Sequence, residues 1–391
     1  MTTSPTALQL KHRYADRFGD PTQVPKEIFI DPDLYRLELE RIFMGPYWHP
    51  LAHRAELPNP KDFKTTWMGE APILIVHGED GVIRAFLNSC AHRGVRLETR
   101  TSGSADEFQC PYHRWVYSTG GKLEGAPGRR EFPCDFKNSD FGLKTLRTVE
   151  MAGLIFVTAD PEAPDLDSFL GEAGPAVKEA LIDDGQLTLL GYQRAIIHAN
   201  WKIYNDNDGY HAPLLHTAFR HLNWQGGGGS VGATQPHGHV YFRYEVSPYV
   251  DNGFLADPSL LSFEGTDARG RVISLKPLVG ITKHLDTINI RFARPLGIDK
   301  TEVHYAYFGH VSDTPEHARH RALQASNLLG PSGLVSIEDV SAFERTHQTS
   351  GDGWVERFVR DVGKEPDEWT QQEEVANTVW WDHYRLSMGL V

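Results

Sequence analysis

Two short ligand pairs constrain this chain more than anything else in it. They are Cys90-Ala91-His92 and Cys110-Pro111-Tyr112-His113, inside the stretch SCAHRGVRLETRTSGSADEFQCPYHRW. Each pair joins one thiol to one imidazole, and 17 residues separate the two pairs. A pair this tight fits on one loop, and the gap is long enough for a hairpin to bring two loops together. Structural zinc is one use of a Cys2His2 set. Finger-type sites, however, group Cys with Cys and His with His, whereas both pairs here are mixed. Four unrelated residues in surface loops is the plainest alternative. Against it stand the flanks, where Trp115 and a Gly120-Gly121 turn close the second loop.

Two thiolates on one iron and two imidazoles on the other make up the ligand set of a Rieske [2Fe–2S] centre. The surrounding chain suits a small all-β carrier for it. From about Leu51 to Thr158 the sequence reads as short strands, namely APILIVHG, VIRAFLN, EFQCPY, RWVYST and AGLIFVT, separated by Gly, Asp and Pro turns. Gly78–Gly81 and Ser118–Gly121 are the clearest hairpin turns. Ahead of this region, Leu34, Leu37, Leu39, Ile42 and Phe43 recur at near-helical spacing, with Asp33 as the cap. After it, the Pro- and acid-rich ADPEAPDLDSF reads as a linker. The pattern predicts an N-terminal helical segment over 1–45, a cluster domain over 46–158 and a second domain over 159–391.

Bulk properties narrow the partners. At 391 residues the chain has ample material for two or three domains. Its 40% hydrophobic and 23% charged content is that of an ordinary globular protein. A net charge of −13 argues against nucleic acid or an anionic membrane as partner. No apolar run approaches the roughly 20 residues of a membrane span, and MTTSPTALQL lacks a basic-then-apolar signal region. Three cysteines, two of them in the ligand pairs, leave only Cys134, so a cytoplasmic setting is expected. Cys134 itself reads as a small hydrophobe.

A second ligand set lies in NWKIYNDNDGYHAPLLH, Asn200 to His216. His211 and His216 stand five apart, with Asp208 three residues before the first. On a helix, positions i and i+3 face the same way, so Asp208 can hydrogen-bond the ring of His211 and fix its tautomer. Five residues turn a straight helix by about 140° net, too far for one face. Pro213 lets the helix break so that His216 swings round. Alone, this spacing is weak evidence in a chain with 19 His. A non-haem Fe(II) site also needs one carboxylate and open positions for O2. SIEDVSAFERTHQ, Ser336 to Gln348, supplies one. There Asp339 leads a helix-like segment after the Gly330–Gly333 turn, with Glu338 the alternative ligand and an ordinary capped surface helix the bland reading. Between these sets, HVYFRYEV, RVISLKPLVGI, TINIRFARPLG and EVHYAYFGHV alternate as strands of an antiparallel sheet. His237 and His239 read as polar residues at a strand start. Gln225–Gly232, QGGGGSVG, reads as a surface loop or, less often, a pocket lid. Arg291, facing inward, could pair bidentately with a substrate carboxylate.

The order of these motifs resembles the large (α) subunits of aromatic ring-hydroxylating dioxygenases, which are Rieske non-haem iron oxygenases. The likeness runs from about Ile28 to Met388. It implies an α+β fold, with an N-terminal all-β Rieske [2Fe–2S] domain inserted before a helix-grip-like catalytic domain built on an antiparallel sheet. Residue by residue, it implies Cys90, His92, Cys110 and His113 on the cluster, and His211, His216 and Asp339 on one mononuclear Fe(II). Glu344 and Gln348 match further positions of the Asp339 segment. Asp208 would bridge His211 to His113 of the partner subunit. Asn205 would line the substrate site together with Arg291, and Arg294 before Pro would be structural. High-potential Rieske proteins carry an extra cysteine pair where Val95 and Tyr112 stand, so a potential of roughly −150 mV rather than +300 mV is expected. Two departures are visible. Arg114 occupies a position more often Gly, and Tyr204-Asn205 replaces a usual Glu-Asn pair. The resemblance also implies O2 and a small aromatic substrate, with YHAPLLH leaning towards aromatic acids such as salicylate, terephthalate and anthranilate. It implies a separate NAD(P)H-dependent reductase, with or without a ferredoxin, and a homotrimer or an α3β3 assembly with a small β subunit. Monohydroxylation, O- or N-demethylation and electron carriage without catalysis are the competing outcomes.

Overall fold

The computed structural model describes residues 7–182, 185–208, 216, 221, 229–246, 253, 255–263, 269–360, 362–369 and 373–391. The chain divides into two compact units, one made of Met1–Ile42 with Asp165–Val391 and the other of Phe43–Pro164.

The first unit opens with α1 (Ala7–Tyr14), β1 (Gln23–Pro25) and α2 (Pro32–Glu38). Helix α2 is capped by Asp31, not by the expected Asp33. The Asp31 carboxylate accepts from the N–H groups of Asp33 (2.8 Å) and Leu34 (3.2 Å), and Pro32 takes the first helical position, where its missing donor costs nothing. Asp31 also accepts from the Tyr14 hydroxyl at 2.7 Å, which ties α1 to α2.

The second unit carries β2 (His49–His53), β3 (Asp62–Met68), β4 (Ala71–His77), β5 (Ile83–Leu87), β6 (Ser102–Ser104), β7 (Glu107–Gln109), β8 (Val116–Ser118), β9 (Leu123–Gly125), β10 (Thr145–Met151) and β11 (Leu154–Thr158). They form a seven-stranded antiparallel sheet in the order β2-β11-β10-β5-β4-β3-β6 and a three-stranded sheet, β7-β8-β9. The first ligand pair sits between β5 and β6, the second between β7 and β8. The segment EFQCPY, read as one strand, leaves the ladder after Gln109, because Pro111 cannot donate to it and Cys110 turns into the loop. Cys134 is exposed, so it does not fill a core gap as expected.

After Pro164 the first unit resumes with α3 (Leu166–Leu170), α4 (Ala173–Ala180), β12 (Leu187–Ile197), α5 (Trp201–Asn205), β13 (Ser230–Ala233), β14 (Val240–Glu245), β15 (Arg269–Leu275), β16 (Val279–His284), β17 (Thr287–Pro295) and β18 (Thr301–His310). It ends in α6 (Pro315–Leu329), α7 (Ser336–Gln348), β19 (Val355–Arg357) and α8 (Val375–Ser387). Strands β12 to β18 build one antiparallel sheet, β12-β18-β17-β16-β15-β14-β13. Helix α4 packs on β15 and β16, α6 on β17 and β18, α7 on β12, and α8 on β13. The run RVISLKPLVGI is not one strand but a hairpin, because Lys276 and Pro277 turn the chain between β15 and β16. His237 and His239 are not strand residues either. They lie in the tight connection from β13 to β14, where Gly238 has φ +69° and a Cβ would come within 2.7–2.8 Å of the Trp380 backbone.

The N-terminal segment is built into this unit. Strand β1 pairs with β19, Phe18 and Phe29 meet Trp381 edge-on, and Lys26 Nζ donates to the Thr349 carbonyl at 2.9 Å. At the centre is Glu38, whose carboxylate accepts from Lys202 Nζ and from Trp201 Nε1, both at 2.7 Å, and from the Tyr384 hydroxyl. Both Glu38 and Lys202 side chains have 0% exposure. Burial drags the Lys202 ammonium below its ordinary pKa, while Glu38 opposes that shift. Removing one partner of such a pair leaves a buried charge uncompensated. Glu38→Ala should therefore cost about 3–5 kcal/mol, read as a lower denaturant midpoint by tryptophan fluorescence of the full chain. A midpoint within error of the wild type would refute the anchoring role.

Candidate metal centres and active site

The two cluster-ligand loops are built alike. Cys90 N–H donates to the Val95 carbonyl (2.9 Å) while the Cys90 carbonyl accepts from Gly94 N–H (2.9 Å). Cys110 N–H donates to the Trp115 carbonyl (2.8 Å) while the Cys110 carbonyl accepts from Arg114 N–H (2.9 Å). The residue four past each cysteine must then adopt a left-handed backbone. Gly94 does so at φ +73° and Arg114 at φ +60°, the second at a steric cost that glycine avoids. This is the structural meaning of the Arg114 departure. Its side chain is exposed, so the substitution adds a charge at the loop surface.

Both cysteines are buried, and they belong to one apolar cluster with Phe63, Phe108, Trp115 and Tyr117. The imidazoles of His92 and His113 meet edge to face with centroids 4.7 Å apart. His92 also stacks on Trp115 at 4.7 Å and 8°. Behind Trp115 stand Phe132, Phe136 and Phe141, which hold its ring edge-on. Desolvation, then the neighbouring His113 and Arg93, keep His92 below its ordinary pKa, which favours the neutral, ligating form. Cysteines inside and imidazoles at the rim is a donor arrangement that fits the cluster. Among the described residues no group of three or more His, Cys, Asp or Glu surrounds a single ion. A Rieske cluster asks only two protein ligands of each iron.

Tyr117 is a residue the sequence reading passed over. Its hydroxyl lies 3.2 Å from Cys90 Sγ and accepts from Ala91 N–H at 3.1 Å. The alternation of VYS on β8 could have placed it inward, but nothing in the sequence pairs it with Cys90.

In the catalytic unit His211 lies outside the described residues, as do Pro213 and the first half of QGGGGSVG, while Ser230–Gly232, read as part of that loop, belong to strand β13. The other predicted groups can be located. His216 is fully buried, its Nε2 standing 3.3 Å from Asp339 Oδ1 and its Nδ1 3.5 Å from Glu338 Oε2. Two ligand atoms at right angles on one ion, each about 2.1 Å away, would stand about 3 Å apart. The His216–Asp339 spacing fits one shared metal. Both acids lie in the first turn of α7, where the helix dipole favours negative charge. Asp339 is the more enclosed, with 9% side-chain exposure against 27% for Glu338. Glu344 faces away from this pair and accepts from the backbone N–H of His198 (3.1 Å).

Helix α5 carries Tyr204 and Asn205 and delivers Asp206 and Asp208 just beyond its end. Asp206 accepts from Asn377 Nδ2 (2.8 Å) and Trp381 Nε1 (3.0 Å). Burial, then the field of Glu356, raises its pKa well above the carboxylate range. Asp208 accepts a hydrogen bond from the buried Lys276, a partner absent from the sequence reading. Tyr204, Asn205, Asn207 and Asp208 line a cleft together with Arg291 and apolar residues of β14 to β16.

Arg291 sits mid-sheet, opposite Gly280 on one side and Tyr305 on the other. A Cβ at Gly280 would come within 2.9 Å of the guanidinium, so the glycine makes its berth. Its Nε is buried and has no hydrogen-bond partner among the described residues. Arg294, by contrast, is neutralised by Glu302 at 2.5 Å and is structural, as expected. His239 serves the framework too: its Nδ1 accepts from Lys276 N–H and its Nε2 meets the Phe169 carbonyl, both at 3.0 Å.

The Tyr117–Cys90 contact makes a measurable difference if a cluster occupies these loops, since hydrogen bonds to ligand sulfur help set the potential. Tyr117→Phe should lower the midpoint potential by about 40 mV, the equivalent of one hydrogen bond of about 1 kcal/mol, with cluster content unchanged in a redox titration followed by EPR. An unshifted potential would show that the hydroxyl does not act on the sulfur.

Comparison with known proteins agrees with this division of the chain. The family model described as a Rieske [2Fe-2S] domain matches residues 47–147. The model described as a ring hydroxylating alpha subunit (catalytic domain) matches residues 179–377. Among curated relatives, the anthranilate 1,2-dioxygenase large subunit of Burkholderia cepacia is 32% identical over 83% of each chain. The salicylate 5-hydroxylase large oxygenase component of Ralstonia sp is 31% identical over 88% of each. The terephthalate 1,2-dioxygenase terminal oxygenase component subunit alpha 2 of Comamonas sp is 32% identical over 81% of this chain and 83% of that one. In fold, naphthalene 1,2-dioxygenase from Rhodococcus sp. superposes with a TM-score of 0.82 at 23% identity, covering 98% of this chain and 97% of that one. The α+β architecture, the Rieske domain and the antiparallel catalytic sheet are those the motifs imply, and the chain belongs to the ring-hydroxylating oxygenase α subunits.

Proposed function

We propose that this α subunit is the terminal oxygenase of an aromatic-acid hydroxylating system, and that Arg291 holds the substrate carboxylate. The observation that carries this reading is the Arg291 guanidinium, enclosed in the cleft with an unpartnered Nε among the described residues. Burial alone would lower its pKa, and the fields of Tyr204, Tyr305, Asp339 and Asp208 more than reverse this. A largely enclosed cation with a donor to spare calls for an anionic partner. The three relatives named above carry anthranilate, salicylate and terephthalate in their names, and each of these is an aromatic carboxylate.

In this reading His211, His216 and Asp339 hold a mononuclear Fe(II), which when bound supplies the O2 chemistry. The residues of the chain supply everything else. Arg291 fixes one end of the acid, and the apolar side chains of Phe242, Val272 and Leu278 take the ring. Asp208 fixes the tautomer of His211 and links it to His113 of the partner subunit, which gives electrons a short path from cluster to iron. Reducing equivalents come from a separate reductase, with or without a ferredoxin, and the assembly is α3 or α3β3. Among the described residues no helix is long and apolar enough to cross a membrane, and a cytoplasmic location fits the cysteine usage. Single hydroxylation is the second reading, favoured by the salicylate 5-hydroxylase relative. Mass analysis of products under ¹⁸O2 separates one incorporated oxygen from two.

Three outcomes test the reading. Purified anaerobically, each chain should hold about three irons and two acid-labile sulfides; two irons and no third would refute the catalytic iron site. Asp339→Ala should lose the third iron and keep the cluster spectrum, while retained iron and turnover would move the ligand assignment to Glu338. Assayed on anthranilate, salicylate, terephthalate and benzoate, Arg291→Gln should raise KM about 10- to 150-fold for the acid that is turned over, as expected for loss of a charged hydrogen-bonding partner. An unchanged KM would remove the carboxylate anchor.

A further inference from the structure

Lys276 stands at the turn between β15 and β16, in a run that the sequence presents as a strand. Its side chain has 1% exposure, and that of its partner Asp208 has 7%. The ammonium donates to Asp208 Oδ2, to the Asn205 carbonyl (2.9 Å) and, at 3.3 Å, to Ser274 Oγ. It also lies 5.8 Å from the centre of the Trp380 ring. The backbone beneath it is fixed, because Lys276 N–H donates to His239 Nδ1 and His239 Nε2 reaches the Phe169 carbonyl, both at 3.0 Å. A lysine has three donor directions on one compact charge, and all three are used here.

We propose that Lys276 is a positioning residue for electron delivery, acting through Asp208. The inference rests on the bridging role proposed above for Asp208. A carboxylate taken out of water needs a partner for its charge, and Lys276 provides it. A carboxylate offers about four lone-pair sites on two oxygens. With Lys276 on Oδ2, Oδ1 is left for imidazole N–H groups. The same ammonium grips the Asn205 carbonyl, so it also fixes Asp208 relative to the end of α5. Without it the aspartate would be free to turn towards another donor, and it would then cease to accept from two imidazoles at once.

The test uses the assembled oxygenase as wild type, Asp208→Asn, Lys276→Met, Lys276→Arg and the double variant Asp208→Asn/Lys276→Met. Cluster absorbance, EPR spectrum and iron per chain are measured first. The reduced enzyme, one electron per cluster, is then mixed with O2 and the best-used acid of the panel above, and the loss of that electron is timed. Thermal unfolding midpoints are compared across the same set without substrate. Lys276→Met should keep the cluster spectrum and iron content yet lose its electron at least tenfold more slowly, with Lys276→Arg within about threefold of the wild type. In the Asp208→Asn background Lys276→Met should add no further slowing, and the two substitutions should be non-additive in unfolding midpoint. If Asp208→Asn is slow and Lys276→Met is not, the Lys276 role is overturned and the bridge stands. If Asp208→Asn itself runs at the wild-type rate, the bridge falls and Lys276 with it. Loss of iron in both Lys276 variants, or additive midpoints, would make Lys276 a structural residue only and would likewise overturn the proposal.

Discussion

The pairing of buried charge along residues 201–208 is the constraint on which the catalytic unit depends. This segment runs towards the proposed metal site, and each ionisable residue in it is met from a different part of the chain. Lys202 is matched by Glu38 of the N-terminal segment and Asp208 by Lys276 of the β15–β16 hairpin, while Asp206, whose pKa burial raises, accepts from Asn377 and Trp381 of the last helix. Three elements far apart in sequence thus converge on eight residues. Unmatched, either charge would cost several kcal/mol on burial, and an unbonded Asp206 would carry its own desolvation penalty, so the segment has few alternative conformations in which all three are satisfied. That rigidity suits its task, since a ligand set tolerates little drift.

The cluster unit solves a different problem with the same economy of parts. Two loops of one geometry, each closed by a pair of backbone hydrogen bonds around its cysteine, present a thiol inward and an imidazole outward. The loops need no disulfide between them because the aromatic wall of Trp115, Phe132, Phe136 and Phe141 supports the imidazole side, while Tyr117 reaches the sulfur side. Repetition of the loop also explains why Gly94 and Arg114 occupy one backbone state, although only the first is suited to it sterically.

Which parts of this were legible in the sequence follows from the range of the interactions. The two mixed Cys/His pairs are local, and local spacing named their chemistry. Strands β4, β5, β8, β11, β14, β17 and β18 were visible as alternation, whereas β3, β12 and β13 went unread, and Asp339 was visible as the acid that opens a helix after a Gly-rich turn. What escaped were pairings across long sequence separations, namely Glu38 with Lys202 and Tyr384, Tyr117 with Cys90, and Lys276 with Asp208. Lys276 was hidden by its surroundings, because RVISLKPLVGI alternates well enough to pass for one strand. The Lys-Pro pair was the only local sign of a turn. The cap moved from Asp33 to Asp31 for a similar reason: both acids suit the start of a helix, and the choice was made by Tyr14 and Arg13 reaching Asp31 from another helix.

The replacement of an acid by Tyr204 acquires a physical meaning beside Arg291. Related α subunits usually carry Glu-Asn where this chain has Tyr204-Asn205. Tyr204 and Arg291 line the same cleft, close enough that the guanidinium opposes the burial-driven rise in the tyrosine's pKa. A glutamate there would neutralise Arg291 from within the protein, as Glu302 neutralises Arg294 three residues further along the strand. A tyrosine that burial keeps protonated leaves the guanidinium's charge for something that enters the cleft. Around the proposed iron, Lys276 already balances Asp208, and Asp339 would be committed to the metal. The charge that Arg291 adds is then best offset by a substrate that brings its own carboxylate. The departure from the usual pair and the enclosed arginine are two halves of one arrangement, and under the proposed function both favour an acid.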